Sequence, residues 1–440
     1  MKLSREIIDN TYTLLAEDED ARVCKGIPES ACSEQPRAFV AQLAAQTLTK
    51  FGDALVSSRL VLAWMLTSIG SPAALIALLV PLRESLALLP QLFVAQFIRE
   101  HAVRKWFWVG GSIGQALALL GMIVALLSLP GPTASVVIVA LLAVFSLARG
   151  VSSVAAKDVL GKTVSKSRRG RLTGLAASAA GLATLATAAV LWLLPGAGSG
   201  DGHVGMFAAI LGLAATLWLL AAWVYAGVPE VPGATEGGGN AFTEALRSLS
   251  LFWTDVQLRG FIVARMLLVA SAFAIPYIVV LVQRAGNGGV GDLALMLFAE
   301  GAAGLLSGPF WGRWSDRAAQ HVMAAAAAIT ALIIIATLAL DGLAPDWLAL
   351  PLTGPLLLFV AAVAHHGARV GRKTYLVDMA DGDNRAEYTA VSNSIMGIFL
   401  LAGGALGLLD AAFGTASVLV LLLAVAVGAV LRALALPRVD

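Results

Sequence analysis

Three acids stand inside apolar stretches of this 440-residue chain and could exchange protons: Asp53, Glu84 and Glu300. A carboxylate drawn toward a low dielectric keeps its proton more readily, so it can load and release one near neutral pH as its surroundings change. The competing reading is a permanent salt bridge to Lys50, Arg83 or Arg149, which would keep the acid charged. Lys50 and Asp53 are three residues apart, the spacing of an ion pair on one helical face. Arg83 and Glu84 are neighbours pointing about 100° apart on a helix, so each needs a partner elsewhere. A second group of residues suits a latch: Gly312, Asp316 and Arg317 follow Glu300 in LMLFAEGAAGLLSGPFWGRWSDRAAQH, and Glu100, His101, Arg104 and Lys105 follow Glu84 more loosely. An acid and a base at helix ends can pair across a junction and bias two states of similar energy.

The elements that must hold these residues are long and apolar. With 58% apolar side chains, 13% charged and a mean hydropathy of +0.83, the chain is too apolar to cover itself with polar surface, and a bilayer is the expected solvent. From Ala38 onward twelve apolar runs are each long enough to cross a hydrocarbon core as a helix. They fall near 38 to 68, 72 to 97, 105 to 129, 133 to 157, 170 to 195, 203 to 227, 259 to 284, 291 to 313, 319 to 340, 350 to 373, 386 to 410 and 414 to 436, the first interrupted near Ser57, Ser58 and Arg59.

Basic residues collect in alternate loops: Arg104 and Lys105, then Lys162 to Arg171, then Arg313 and Arg317, then Arg372, Lys373 and Arg385. Positive residues favour the cytoplasmic side, so both termini and the middle loop are expected there. Residues 1 to 37 read as a loosely ordered cytoplasmic tail, and the polar charges where an apolar stretch would be needed exclude a signal peptide. Cys24 and Cys32 are the only cysteines and read as reduced thiols. The gap from 228 to 258 opens with Pro229, Pro232 and a glycine run, then offers an amphipathic helix, NAFTEALRSLSLFW, for the membrane surface. It divides six runs from six: 38 to 227 and 259 to 440.

The halves share a register. The offset from Glu84 to Glu300 also sets Lys157 on Lys373, Leu160 on Leu376, Arg169 on Arg385, Thr173 on Thr389 and Arg149 on His365. An even number of spans per half makes this a parallel repeat about an axis along the membrane normal. The expected fold is an all-α membrane protein of twelve transmembrane helices in two parallel six-helix pseudo-repeats.

This layout, with charged loops after the second and eighth runs, resembles the major facilitator superfamily of secondary transporters. The loop signature of that family, G-x-x-x-D-[RK]-x-G-[RK]-[RK], is matched in part by Gly312, Asp316 and Arg317, and more weakly by Glu100, Arg104 and Lys105, with Gln96, His101 and Val103 at other signature positions. The resemblance implies a gate at Glu100, Arg104, Gly312, Asp316 and Arg317. It also implies a central cavity lined by the first, fourth, seventh and tenth helices, which offers Lys50, Asp53, Arg149, Arg265 and His365 as substrate-binding residues, with His366 and Arg369 nearby. Arg265 and Arg369 could instead snorkel to the surface. Basic residues predominate there, a lean toward a substrate with an anionic group.

The expected activity is alternating-access transport of a small solute, coupled to a proton or another ion through Asp53, Glu84 and Glu300, in a bacterial inner membrane. Membrane lipids and the solute are the expected partners, nucleic acid is not, and the chain is expected to act as a monomer. The basic run from Lys162 to Arg171 suits topology and anionic lipid. No Walker loop or H-E-x-x-H occurs, and the G-x-S-x-G match at Gly110 to Gly114 falls inside an apolar run and not on a strand-to-helix turn, so neither an ATP-driven pump nor one of those hydrolases is expected, and no cofactor. His365 and His366 are adjacent and cannot easily converge on one metal. Two alternatives remain open: an exporter of drugs or lipids, disfavoured by the lack of a G-P pair in RLTGLAASAAGLATLATAAV, and a transport-inactive sensor or scaffold.

Overall fold

A computed structural model describes the chain except for residues 1, 17–23, 25, 26, 28, 90–93, 95, 96, 99, 194–202, 234, 236–248, 287, 288, 381–384 and 440. Among the described residues there is no strand. Most of the stretch expected as an amphipathic helix lies outside them; its end forms the short helix Leu251–Thr254.

The helices follow the apolar runs. In the first half they are α1 (Lys2–Ala16), α2 (Gln35–Leu55), α3 (Val61–Ser68), α4 (Ala73–Leu88), α5 (Lys105–Ser128), α6 (Gly131–Thr163), α7 (Lys166–Leu193) and α8 (His203–Ala226). In the second they are α9 (Val256–Leu267), α10 (Ala270–Ala285), α11 (Val290–Leu343), α12 (Thr353–Met379), α13 (Arg385–Ala402), α14 (Leu406–Phe413) and α15 (Thr415–Leu434). Among the described residues eight helical stretches are long and apolar enough to cross a membrane, which makes the chain an integral, multi-pass membrane protein. At 1.5 Å per residue the 54-residue α11 would run about 80 Å if straight, well over twice a ~30 Å hydrocarbon core. It does not run straight: Ala318 leaves helical geometry at φ −164°, ψ 76° and divides it into two limbs.

α2 gives way to α3 through the non-helical residues 56 to 60, around the three polar residues Ser57, Ser58 and Arg59. In the first half α2 packs on α7 and α8, α5 on α6 and α8, and α4 on α6. In the second α11 packs on α12 and α15, while α9 and α10 pack on α15 and α10 also on α12. The halves meet where α7 lies on α11 and where α4 lies on α13 and α14. Glycines set these contacts. A Cβ on Gly301 would come within 3.0 Å of Leu185, and one on Gly407 within 2.8 Å of the Ala74 backbone, so the helices approach as only small residues allow.

Two expectations for the N-terminus are corrected. The segment expected to be loose contains α1, whose Tyr12 is buried, accepts a hydrogen bond from Gln35 Nε2 at 2.7 Å and meets the Phe39 ring edge-on at 5.2 Å. Val164 and Leu172 complete that apolar cluster, so burial of aromatic surface, rather than the helix alone, holds α1 in place. Cys24 and Cys32, expected as separate thiols, are joined in a disulfide with Cα atoms 5.6 Å apart.

Candidate functional site: a polar cavity between the halves

We call the end of the bundle where α2 begins the near end and the end where α3 finishes the far end. At the far end the halves are tied by Gln283 of α10, whose Nε2 donates to the Trp64 carbonyl at 3.2 Å and to Ser68 Oγ at 2.9 Å, both on α3. Gln283 is buried, and Trp64 beside it is wholly buried. Further along the same junction, Ser85 Oγ of α4 donates to the Gly397 carbonyl of α13 at 2.6 Å.

Toward the near end the halves part around a cavity of about 100 Å³, space for several waters. α4 contributes Glu84 and Leu88, α9 and α10 contribute Arg265, Ser271 and Ala272, α12 contributes His365, Arg369 and Arg372, and α13 contributes Met396 and Leu400. Lys157 of α6 and Lys373 of α12, one from each half, are both exposed and within electrostatic reach of each other. Two like charges so placed are tolerable only with water between them.

The first-half residues form a brace. Asp53 of α2 accepts from Arg83 Nη2 of α4 at 2.6 Å and from Arg149 Nη1 of α6, so one carboxylate ties three helices. The Arg83 guanidinium also lies over the Phe145 ring at 4.7 Å from its centroid. The direct pairing expected from spacing, Lys50 with Asp53, is taken by these two arginines; Lys50 stays within electrostatic reach of Asp53 and also of Arg369, Arg149 and Lys373.

In the second half Arg265 does not snorkel. It is buried, donating to Ser392 Oγ at 2.6 Å and to Asn393 Oδ1 at 2.9 Å on α13, which pins α9 to that helix. His365 Nδ1 and Ser271 Oγ share a hydrogen bond of 3.2 Å in the cavity wall. Arg369, by contrast, is exposed into the cavity, near Glu84 and Arg59. Glu300 sits on the first limb of α11, beside the contact with α7. Its Oε2 is buried with no hydrogen-bond partner, while Ser57 bonds the carboxyl group and Arg59 stands within electrostatic reach.

The loop after α4 holds the densest ionic network. Arg104 Nη1 pairs with Asp158, and the backbone N–H groups of Arg104 and Lys105 donate to the Glu230 carboxylate at 2.7 to 2.9 Å. Lys162 bridges Asp158 at 2.8 Å and Glu230 at 2.9 Å. Glu100 is exposed and outside this network. Asp316 and Arg317 are exposed on the turn just before the break at Ala318 and make no ion pair among the described residues; Gly312 lies one turn earlier on the same limb. The ionic lock therefore joins elements of the first half to the start of the middle loop, and the loop at Asp316 and Arg317 takes no part in it.

Sequence reasoning missed Asp158 and Glu230 as partners of Arg104, and Lys162 as the cation that shares them. Asp158 and Lys162 carried a legible signal, the four-residue spacing of a helical ion pair, whereas Glu230 lies in a loop where spacing says nothing about partners. Outside the apolar helices, Asp255 caps α9 by accepting from the Leu258 N–H at 2.9 Å and from Tyr388 Oη. Burial acts to raise the Asp255 carboxyl, but these hydrogen bonds outweigh it and hold the group below its ordinary value.

No family model and no curated protein matches the sequence. Solved structures match over nearly the whole length. The crystal structure of a D-xylose-proton symporter aligns at a TM-score of 0.69 with 14% identity, covering 91% of this chain and 98% of its own. A point mutant of the nucleoside transporter NupG aligns at 0.66 with 13% identity, covering 90% and 99%. A POT family transporter in complex with a thioalcohol-conjugated peptide aligns at 0.65 with 11% identity, covering 90% and 95%. At these identities the likeness is one of fold.

Proposed function

From a chain that has the major facilitator fold, we propose a secondary active transporter that moves a small solute by alternating access and couples it to protons. The observation that carries the proposal is the cavity itself: polar, set between two helical halves and lined from both, with the halves tied together at the far end by Gln283. A passage closed on one side and wet on the other is one of the two states that alternating access requires. The similar structures are named for sugar, nucleoside and peptide-related cargo, which supports the class of activity and leaves the solute to this chain's own residues.

We read twelve spans. α2 with α3 forms the first and the two limbs of α11 the eighth and ninth; α4 and α12 are spans whose polar residues or short length mask their apolar character. The packing supports the parallel repeat. The contact of the second span with the eleventh, α4 on α13, corresponds under a six-span shift to the contact of the eighth with the fifth, α11 on α7. The distribution of basic residues supports an orientation with the near end in the cytoplasm.

Within this reading Glu300 is the proton carrier. Of Asp53, Glu84 and Glu300 it is the one with an unpartnered buried oxygen, it lies beside the junction of the halves, and Ser57 and Arg59 at the break in the first span attend it. Asp53 is already balanced by two guanidiniums and serves as a brace; Glu84, on the cavity wall, answers to the arginines of α12. Lys50, Arg149, Arg265 and His365 line or support the solute path, and Arg104 with Asp158 holds the near-end lock. The test is uptake into proteoliposomes with and without an inward proton gradient, over neutral, anionic and cationic solutes. Gradient-dependent accumulation of one class is expected, and Glu300→Gln should abolish accumulation while sparing exchange of solute across the membrane. Accumulation unchanged in Glu300→Gln would remove Glu300 from the coupling; no gradient-dependent flux of any solute would remove the transport reading.

A further inference from the structure

Arg369 and Arg372 stand three residues apart on α12, the spacing that puts two side chains on one helical face, and both line the cavity. Arg59, at the break between α2 and α3, is within electrostatic reach of both. None of the three makes a hydrogen bond or an ion pair among the described residues. The acids within reach are Glu84, near all three, Glu300, near Arg59, and Asp53, near Arg369 but already paired. If Glu300 carries a proton in this state, three guanidiniums face one carboxylate. Asp53 offers no relief, because Arg83 and Arg149 already share it, and Arg265 adds a further cation whose hydrogen-bond partners, Ser392 and Asn393, are neutral.

Like charges at this spacing repel, and repulsion grows as water is excluded. Side chains that depend on water in the open state would face that repulsion each time the cavity closes, unless closure occurs around a negative charge. The planar fork of arginine matches the oxygen pairs of carboxylates and phosphates, and the absence of protein partners leaves those donors available. We propose that this cavity is an oxyanion site: Arg369 and Arg372, with Arg59 from the other half, bind a carboxylate or phosphate group on the transported solute. Contributions from both halves let the anion draw them together, so that the loaded cavity can close where the empty one resists.

This inference rests on the transport reading above, and its test reads binding without flux. The purified full chain, in a neutral detergent at constant ionic strength, is titrated with succinate, inorganic phosphate and glycerol 3-phosphate, with glucose and sodium chloride as controls, and thermal stability is followed. At least one oxyanion should raise the unfolding temperature in a saturable way, and neither control should. Arg369→Gln and Arg372→Gln should each weaken that binding about tenfold or more, as expected for losing a charge-assisted hydrogen bond, while Arg313→Gln, at an exposed position, should leave it unchanged. Arg369→Lys, which keeps the charge and loses the fork, should retain folding and bind with intermediate affinity. Short-chain phosphatidylglycerol forms a separate arm: protection by it and not by the soluble anions would assign the same oxyanion chemistry to a lipid headgroup.

Equal protection by chloride or glucose, or unaltered affinity in folded Arg369→Gln and Arg372→Gln, would overturn the proposal. Oxyanion binding without gradient-dependent flux of that anion or any other solute would refute transport and leave the site standing. Flux of a neutral solute without protection by any oxyanion would refute the site and leave transport standing.

Discussion

Removing the Asp53 carboxylate should destabilise the first half more than any surface substitution. The carboxylate accepts from Arg83 at 2.6 Å and from Arg149, and the three side chains are 22%, 9% and 36% exposed for Asp53, Arg83 and Arg149. Stranding one partner of a buried pair costs about 3–5 kcal/mol. Arg149 is exposed enough for water to take over most of its share, so the cost falls mainly on Arg83, which keeps its contact with the Phe145 ring and the more distant charge of Glu84. We therefore take the lower end, about 3 kcal/mol for Asp53→Ala. Extending the trend by which larger chains shift less, a 440-residue chain should lose roughly 1–2 °C per kcal/mol, or about 3–6 °C in all. The assay is thermal unfolding of the purified protein in detergent, run as a double-mutant cycle with Arg83→Met. If the pair is the cause, the double variant should be more stable than the sum of the single losses predicts, by about 1–3 kcal/mol. Additive losses, or an Asp53→Ala protein that melts with the wild type, would refute the brace.

Three further outcomes follow from particular contacts. Gln283→Ala removes two hydrogen bonds across the far end, about 1–2 kcal/mol of bias, so a cysteine placed at Thr67, which takes no part in those bonds, should be labelled faster by an impermeant thiol reagent in that background; an unchanged rate counts against the far-end latch. Asp158→Asn should remove the side-chain ion pair of Arg104 and one of the two of Lys162 and increase proteolytic cleavage between α4 and α5, whereas Asp316→Asn, in an exposed position and in no ion pair among the described residues, should leave cleavage there unchanged. Asp255→Ala should cost about 0.5–2 kcal/mol through loss of the α9 cap. Because the folded Asp255 carboxyl is held below its unfolded value, its contribution is fully present above the ordinary aspartate range and fades as pH falls through that range and below. The gap in melting temperature between wild type and Asp255→Ala should therefore narrow on acidification; a gap that widens contradicts the assignment.

Much of the architecture was legible in the order of residues alone. Period and length of apolar runs determine helices in a bilayer, because no other backbone arrangement except a closed barrel satisfies its own hydrogen bonds there. The break at Ser57, Ser58 and Arg59 was visible as polar residues in an apolar run, and Glu300 as an acid with no neighbour to neutralise it. Partners were another matter. Spacing along one helix pointed Asp53 at Lys50, but α4 and α6 bring guanidiniums closer, and contacts between helices are set by packing that a linear pattern does not encode. The same limit hid Glu230 beneath Arg104 and Ser392 beside Arg265. It also made the N-terminal segment look loose: its helix is stable only because Tyr12 finds Phe39 and Gln35.

The sequence by itself thus determined that this chain lives in a membrane as a helical bundle, and which ionisable residues are costly to keep there. Only the tertiary structure decided which of those residues are already satisfied, as Asp53 and Arg265 are, and which stay available, as Glu300, Arg369 and Arg372 do. The physical reason is that burial is a local cost written along the chain, whereas its compensation comes from side chains brought close by helices distant in sequence.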